Sequence, residues 1–166
     1  MRRWRGMRVL LVASVSMLAI AASALGPVLG PAYGANKESW GFARSGKEVQ
    51  VAYGIPESEA VTIVFRCEAK RIEIISTVLP RRPRKGQPAR TTLSNGSLRA
   101  AYDGKFGSSS EGFYFEASTA AEPKVVHILK SGTSLTISIP GKHERVPLKG
   151  VAAPLAQFEA ACFRRR

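Results

Sequence analysis

Apolar and polar residues alternate through most of the chain beyond residue 45, which is the period of a strand with one buried face. Val49, Val51 and Tyr53 alternate with Glu48, Gln50 and Ala52, and Val61, Ile63, Phe65 and Cys67 share one face of the next run. Ile72, Ile74 and Val78, then Leu98, Ala100 and Tyr102, repeat the pattern, as do Phe113 and Phe115 around Tyr114. Leu135, Ile137 and Ile139 form another such face, and Val146 and Leu148 flank Pro147, which marks an edge strand. Turn signals separate the runs. Asn95-Gly96 suits a two-residue hairpin, and Asp103-Gly104 reads as a second turn. Short strands punctuated in this way predict a mainly β fold, an antiparallel β-sandwich or a small barrel.

Two stretches follow a different period. Pro123 to Lys130 reads as a short helix near 123–131, with Pro123 in its first turn and Gly132 just past its end. The β-branched pair Val125-Val126 and Ile128 leave a strand open there. Near the C-terminus, Val151, Leu155, Phe158 and Cys162 fall at i, i+4, i+7 and i+11, one stripe of a helix.

The N-terminal segment has no place in this pattern. Arg2, Arg3, Arg5 and Arg8 precede an uncharged apolar run from Val9 to Leu25, followed by small residues, so residues 1–34 read as an export signal. Small residues at −3 and −1 occur in Ala22-Ser23-Ala24 and in Ala32-Tyr33-Gly34, and Pro27 and Pro31 favour the second by ending any helix before it. An uncleaved anchor is the alternative, although the run is at the short limit for spanning a bilayer. The expected mature protein, 35–166, is a single β-rich domain. Its charge falls from +13 to +9 because four arginines and no acidic residues leave. It is expected in the periplasm or outside the cell, where nucleic acid is mostly absent.

Export changes the reading of the two cysteines. Cys67 lies on the buried face of its strand and Cys162 on the apolar stripe of the terminal helix, so both point into one core. In an oxidising compartment the simplest state is one disulfide joining helix to sheet, with inert buried thiols the alternative. Closing a loop of about 95 residues would stabilise the fold by roughly 4 kcal/mol in the chain-entropy model.

Candidate chemistry is sparse. His127 and His143 are solitary, and Asp103 is the only aspartate, which argues against a metal site, paired-aspartate catalysis and an aspartate-supported triad. No Gly-x-Ser-x-Gly elbow activates a serine in Ser108-Ser109-Ser110. Glu57 with Glu59, or Glu68 with Glu73, are the carboxylate pairs that a glycosidase-like site would draw on, and solvated charges are the plainer reading. Asn95-Gly96-Ser97 also fits a glycosylation acceptor. No catalytic residue, cofactor or metal is assigned from these residues.

The remaining unusual feature is Leu79-Pro-Arg-Arg-Pro-Arg-Lys-Gly-Gln-Pro-Ala-Arg90, a proline-stiffened loop concentrating Arg81, Arg82, Arg84, Lys85 and Arg90 as anion-binding candidates. Arg164, Arg165 and Arg166 add a basic tail. Such a cluster attracts phosphate and carboxylate surfaces, or simply keeps the protein soluble. In an envelope the partners it suits are lipopolysaccharide, anionic lipid headgroups and peptidoglycan. The run lacks the interleaved aromatics that would stack bases, so specific nucleic-acid recognition is not expected.

The segments Val61-Thr-Ile-Val-Phe-Arg-Cys67, Leu135-Thr-Ile-Ser-Ile139, Val146-Pro-Leu-Lys-Gly150 and Ala156-Gln-Phe-Glu-Ala-Ala-Cys162 together resemble a loose group of exported proteobacterial proteins. The group includes proteins similar to the type VI secretion accessory VasI and, more distantly, the invasion-associated locus B proteins. The resemblance spans most of residues 40–163 and implies a β-sandwich, a terminal helix and a Cys67–Cys162 bridge. It transfers no catalytic residues, and the basic loop lies outside it. The resulting expectation is an exported, non-enzymatic binding or accessory protein of the envelope. Alternatives are an envelope hydrolase with a Glu-based site and a periplasmic lysozyme-inhibitor-like protein, the latter opposed by the shared positive charge of the two partners.

Overall fold

The computed structural model describes residues 37–163 apart from Glu57 and Glu59. The expected export signal, its cleavage sites, the Glu57–Glu59 pair and the tail Arg164–Arg166 lie outside the described residues. Nine strands form one continuous antiparallel sheet: β1 (Ser39–Ser45), β2 (Glu48–Gly54), β3 (Val61–Glu68), β4 (Arg71–Ser76), β5 (Pro88–Ser94), β6 (Arg99–Ser109), β7 (Gly112–Ala120), β8 (Ser134–Ile139) and β9 (Lys142–Pro147). Their spatial order is β1-β2-β3-β4-β7-β6-β5-β8-β9. Two helices complete the domain, α1 (Pro123–Lys130) and α2 (Ala152–Cys162). The mainly β expectation and both helices therefore hold.

The alternation that marks the strands also builds the core. Val49, Val51, Ile63, Phe65, Ile72, Ile74, Leu135 and Ile137 are all buried on the inner face of the sheet. A flat sheet of nine strands would span about 38 Å at the usual strand spacing. Here the indole Nε1–H of Trp40 on edge strand β1 donates to the carbonyl of Pro147 on edge strand β9 at 2.6 Å, so the sheet curls until its two edges meet at that side chain. No ladder joins β1 to β9 among the described pairings. Helix α2 lies against β1, β2 and β3 with Leu155 and Phe158 buried, and Cys162 at its end is bonded to Cys67 on β3, with Cα atoms 5.8 Å apart.

Strand order makes two connections long. β4 to β5, residues 77–87, and β7 to β8, residues 121–133, each step over two intervening strands. Because every pair is antiparallel, the first crosses one end of the sheet and the second crosses the other. The second contains α1, whose Val125, Val126, Ile128 and Leu129 are buried. Its course is held at both ends. Ala121 N–H donates to Lys70 O in the β3–β4 turn, and Asn95 in the β5–β6 turn faces the C-terminal end of α1.

Several sequence expectations are corrected by this packing. Asp103-Gly104 is no turn but the middle of β6, paired with Arg90 and with Ala117. The glycine is needed there for close approach, since a Cβ at Gly104 would fall 2.1 Å from Glu116 O on β7. Asn95-Gly96 does begin a turn, but the connection has four residues, Asn95 to Leu98, between paired Ser94 and Arg99. Asn95 Oδ1 accepts from the N–H groups of Ser97 and Leu98, an Asx-type turn that replaces the two-residue form. Leu98 consequently leaves the strand and is exposed, unlike Ala100. Strands β1 and β5 were not anticipated, and β5 takes in the end of the stretch read as basic loop.

The β3–β4 hairpin turns through Ala69 and Lys70 with φ of +47° and +61°. Two successive left-handed residues suit the two-residue hairpin, yet neither is a glycine or asparagine, and such residues each cost on the order of 1 kcal/mol there.

Candidate binding surfaces at the loop end of the sheet

The connection 77–87 owes its position to topology and its rigidity to hydrogen bonds. Gly86 N–H donates to Phe106 O at 2.7 Å, Phe106 N–H returns to Gln87 O at 3.1 Å, and Gln87 N–H closes a turn on Arg84 O. Prolines 80 and 83 remove backbone freedom before that anchor. Arg81, Arg82, Arg84 and Lys85 are all exposed and none has an ion-pair partner among the described residues. Arg82, Arg84 and Lys85 border a depression of about 660 Å³ floored by Gly86 and Gln87. This is free positive charge on a fixed frame.

Arg90, the fifth anion-binding candidate, does not belong to that group. It stands on β5 opposite Asp103 on β6, and its guanidinium grips the carboxylate through Nε to Oδ1 at 2.6 Å and Nη2 to Oδ2 at 2.8 Å. Those hydrogen bonds hold the Asp103 carboxyl below its ordinary range. The only aspartate of the chain is thus committed to a cross-strand pair.

The carboxylates named in the sequence fare similarly. Glu73 on β4 stands opposite Arg66 on β3 and accepts from its Nη1 at 3.1 Å, while Glu48 lies 3.2 Å from Arg66 Nε. Glu68, at the end of β3, is exposed and pairs in register with Arg71. His127 lies exposed on α1 and His143 exposed on β9. Among the described residues no group of three or more His, Cys, Asp or Glu is placed to hold a metal ion. Tyr102 has a buried hydroxyl without a hydrogen-bond partner in the described residues, and burial, reinforced by the charge of Glu122, pushes its pKa up to about 12.

A second surface was not legible in the sequence. On the solvent face of β3, β4 and β7 lies a groove of about 630 Å³. Its floor is apolar, with Val64, Ile75 and Tyr114 half-buried. Its rim carries Glu38, Glu73, Glu111 and Glu116. Glu73 is taken by Arg66 and Glu116 lies 3.4 Å from Lys105 Nζ. Among the described residues Glu38 accepts from the hydroxyls of Thr62 and Tyr53, and Glu111 from Ser109 and Ser110, and neither has a cationic partner there. Tyr114 lies across Gly107 on the neighbouring strand, where a Cβ would fall 2.4 Å from ring atoms. The glycine lets the aromatic ring rest on the sheet.

A smaller depression over Gly104 shares Glu73 and Glu116 with the groove and Gly86 with the basic loop, so the acidic and basic surfaces adjoin. No helix among the described residues is long and apolar enough to cross a membrane. No protein-family model, no curated protein and no solved structure matches the chain.

Proposed function

We propose that this is an exported binding or accessory protein of the bacterial envelope that holds anionic surfaces through the loop 77–87, without catalysing a reaction. The observation that carries this reading is the set of four exposed cations, Arg81, Arg82, Arg84 and Lys85, left without carboxylate partners among the described residues on a loop tied to β6 by backbone hydrogen bonds. Arg90, by contrast, is neutralised by Asp103. Location in the periplasm or outside the cell is part of the proposal, supported by the Cys67–Cys162 disulfide and by the export-signal pattern of residues 1–34. The resemblance to VasI-like proteins points the same way.

The test is retention of the exported chain on lipopolysaccharide, anionic vesicles and purified cell wall at low and moderate salt. Binding is expected to weaken steeply as salt rises. Replacing Arg81, Arg82, Arg84 and Lys85 by Ser should abolish it, whereas Arg90→Ser should leave most of it. Equal retention of the four-fold variant would refute the reading. Release of soluble fragments from cell wall would instead favour a Glu-based hydrolase.

A further inference from the structure

We infer that the groove on the solvent face of β3, β4 and β7 is a second binding site, one that takes a lysine or arginine side chain flanked by apolar residues in an extended segment of a partner polypeptide. This goes beyond the proposed contact with anionic surfaces and does not depend on it.

Three features make the case. The outer face of a sheet is ordinarily polar, yet Val64, Ile75 and Tyr114 line this groove, an apolar floor that water covers poorly. The chain has an excess of thirteen positive charges, yet four of its twelve acidic residues collect on the rim of this one groove. Two of those four, Glu38 and Glu111, have no cationic partner among the described residues, although cations outnumber carboxylates about two to one in the chain. Gly107 keeps the Tyr114 ring down on the sheet, between Glu116 on its own strand and Glu111 at the hairpin tip. An aromatic ring beside carboxylates attracts an ammonium or guanidinium both through its π face and through charge.

Chemistry selects the occupant. An anionic ligand would meet the carboxylates of Glu38 and Glu111, while Arg66 on the groove is already held by Glu48 and Glu73. A purely apolar one would leave Glu38 and Glu111 facing it unpaired, at a desolvation cost. A basic residue with apolar neighbours satisfies floor and rim together. The net positive charge that opposes basic partners at long range is a property of the whole chain, and at the groove the local sign is reversed.

The probe is a capped Gly-Leu-Lys-Leu-Gly peptide titrated into isotopically labelled exported chain, with Gly-Leu-Glu-Leu-Gly as control, followed by amide chemical shifts. The lysine peptide should shift residues of β3, β4 and the β6–β7 hairpin, and the glutamate peptide should not. The double variant Glu38→Gln and Glu111→Gln should weaken binding about tenfold, and Tyr114→Leu several-fold. Serine at Arg81, Arg82, Arg84 and Lys85 should leave peptide binding intact while removing retention on anionic surfaces, which separates the two sites. Unchanged spectra on adding the lysine peptide, shifts confined to residues outside the groove, or equal affinity of the double Gln variant and the wild type would each overturn the inference, provided the variants keep the wild-type amide dispersion.

Discussion

Two connections of the same topological span cross opposite ends of one sheet, and they differ in almost every chemical respect. At one end residues 121–133 form α1, bury four aliphatic side chains and are tied down by Lys70 O and Asn95. At the other, residues 77–87 form no helix and bury Val78 alone; Thr77 is bonded to β3 at the start, and beyond Val78 the segment exposes four cations and is tied to β6 by backbone bonds. The groove rim residue Glu111 sits on a hairpin at this second end. Stepping over two strands requires length and an anchor, but nothing in the topology requires burial. Where burial runs through the connection it closes the core, and where it stops after Val78 the rest of the span is free to present charge.

Predictions that break or sharpen this contrast fall in order of size. The covalent staple sets the scale. Reducing Cys67–Cys162, or replacing both residues with Ser, should lower stability by about 4 kcal/mol, measured as the denaturation midpoint with and without reductant. No change would mean that α2 is held by packing of Leu155 and Phe158 alone.

Truncating Ile128 to Ala in α1 should come next, at about 3 kcal/mol, because the residue is buried and a cavity would remain. Asn95→Ala should follow at about 2 kcal/mol. Asn95 Nδ2 faces Ile128 O at 2.8 Å, Ser131 O at 2.8 Å and Ser131 Oγ at 2.7 Å, so its loss takes the donor from Ile128 O and Ser131 O, and the Ser131 hydroxyl, committed to His127 O, does not replace it. Asn95→Asp should be worse, since a carboxylate would face those carbonyl oxygens. Hydrogen exchange localised to α1 would show whether the helix end opens on its own.

A gain is expected from the β3–β4 turn that anchors the start of the helical connection. Replacing Ala69-Lys70 with Asn-Gly, residues that accept left-handed geometry, should raise stability by about 1 kcal/mol. The smallest effect belongs to the opposite end. Serine at Arg81, Arg82, Arg84 and Lys85 should change the unfolding midpoint by no more than about 0.5 kcal/mol, since exposed charges without partners contribute little to stability. A large loss there would show that the loop supports the fold as α1 does.

The missed strands have a common physical cause. β1 carries only Trp40 and Phe42 on the side facing the rest of the domain, and Trp40 gains its role from Pro147, 107 residues away. β5 begins at Pro88 and turns inward Ala89, Thr91 and Leu93, a small, a polar and a single large apolar residue, and the buried hydroxyl of Thr91 donates to Ser138 O. The alternation of Arg90 and Thr92 against Thr91 and Leu93 was the available signal. Asp103-Gly104 misled for the opposite reason: a glycine required for strand-to-strand approach carries the same letters as one required for a turn.

From the sequence alone came everything governed by local periodicity and by residue type: seven of the strands through their period of two, α2 through its stripe, the placement of both cysteines on core-facing positions, and the exposed basic segment. These follow because each depends on neighbours within a few positions. Tertiary structure decided what depends on distant pairs. It joined all nine strands into one curled sheet, resolved Pro123–Lys130 as a helix closed by Asn95, and withdrew Arg90 from the basic cluster by setting it against Asp103. It also gathered Glu38, Glu73, Glu111 and Glu116 around one apolar floor, a grouping that only strand order and register can make.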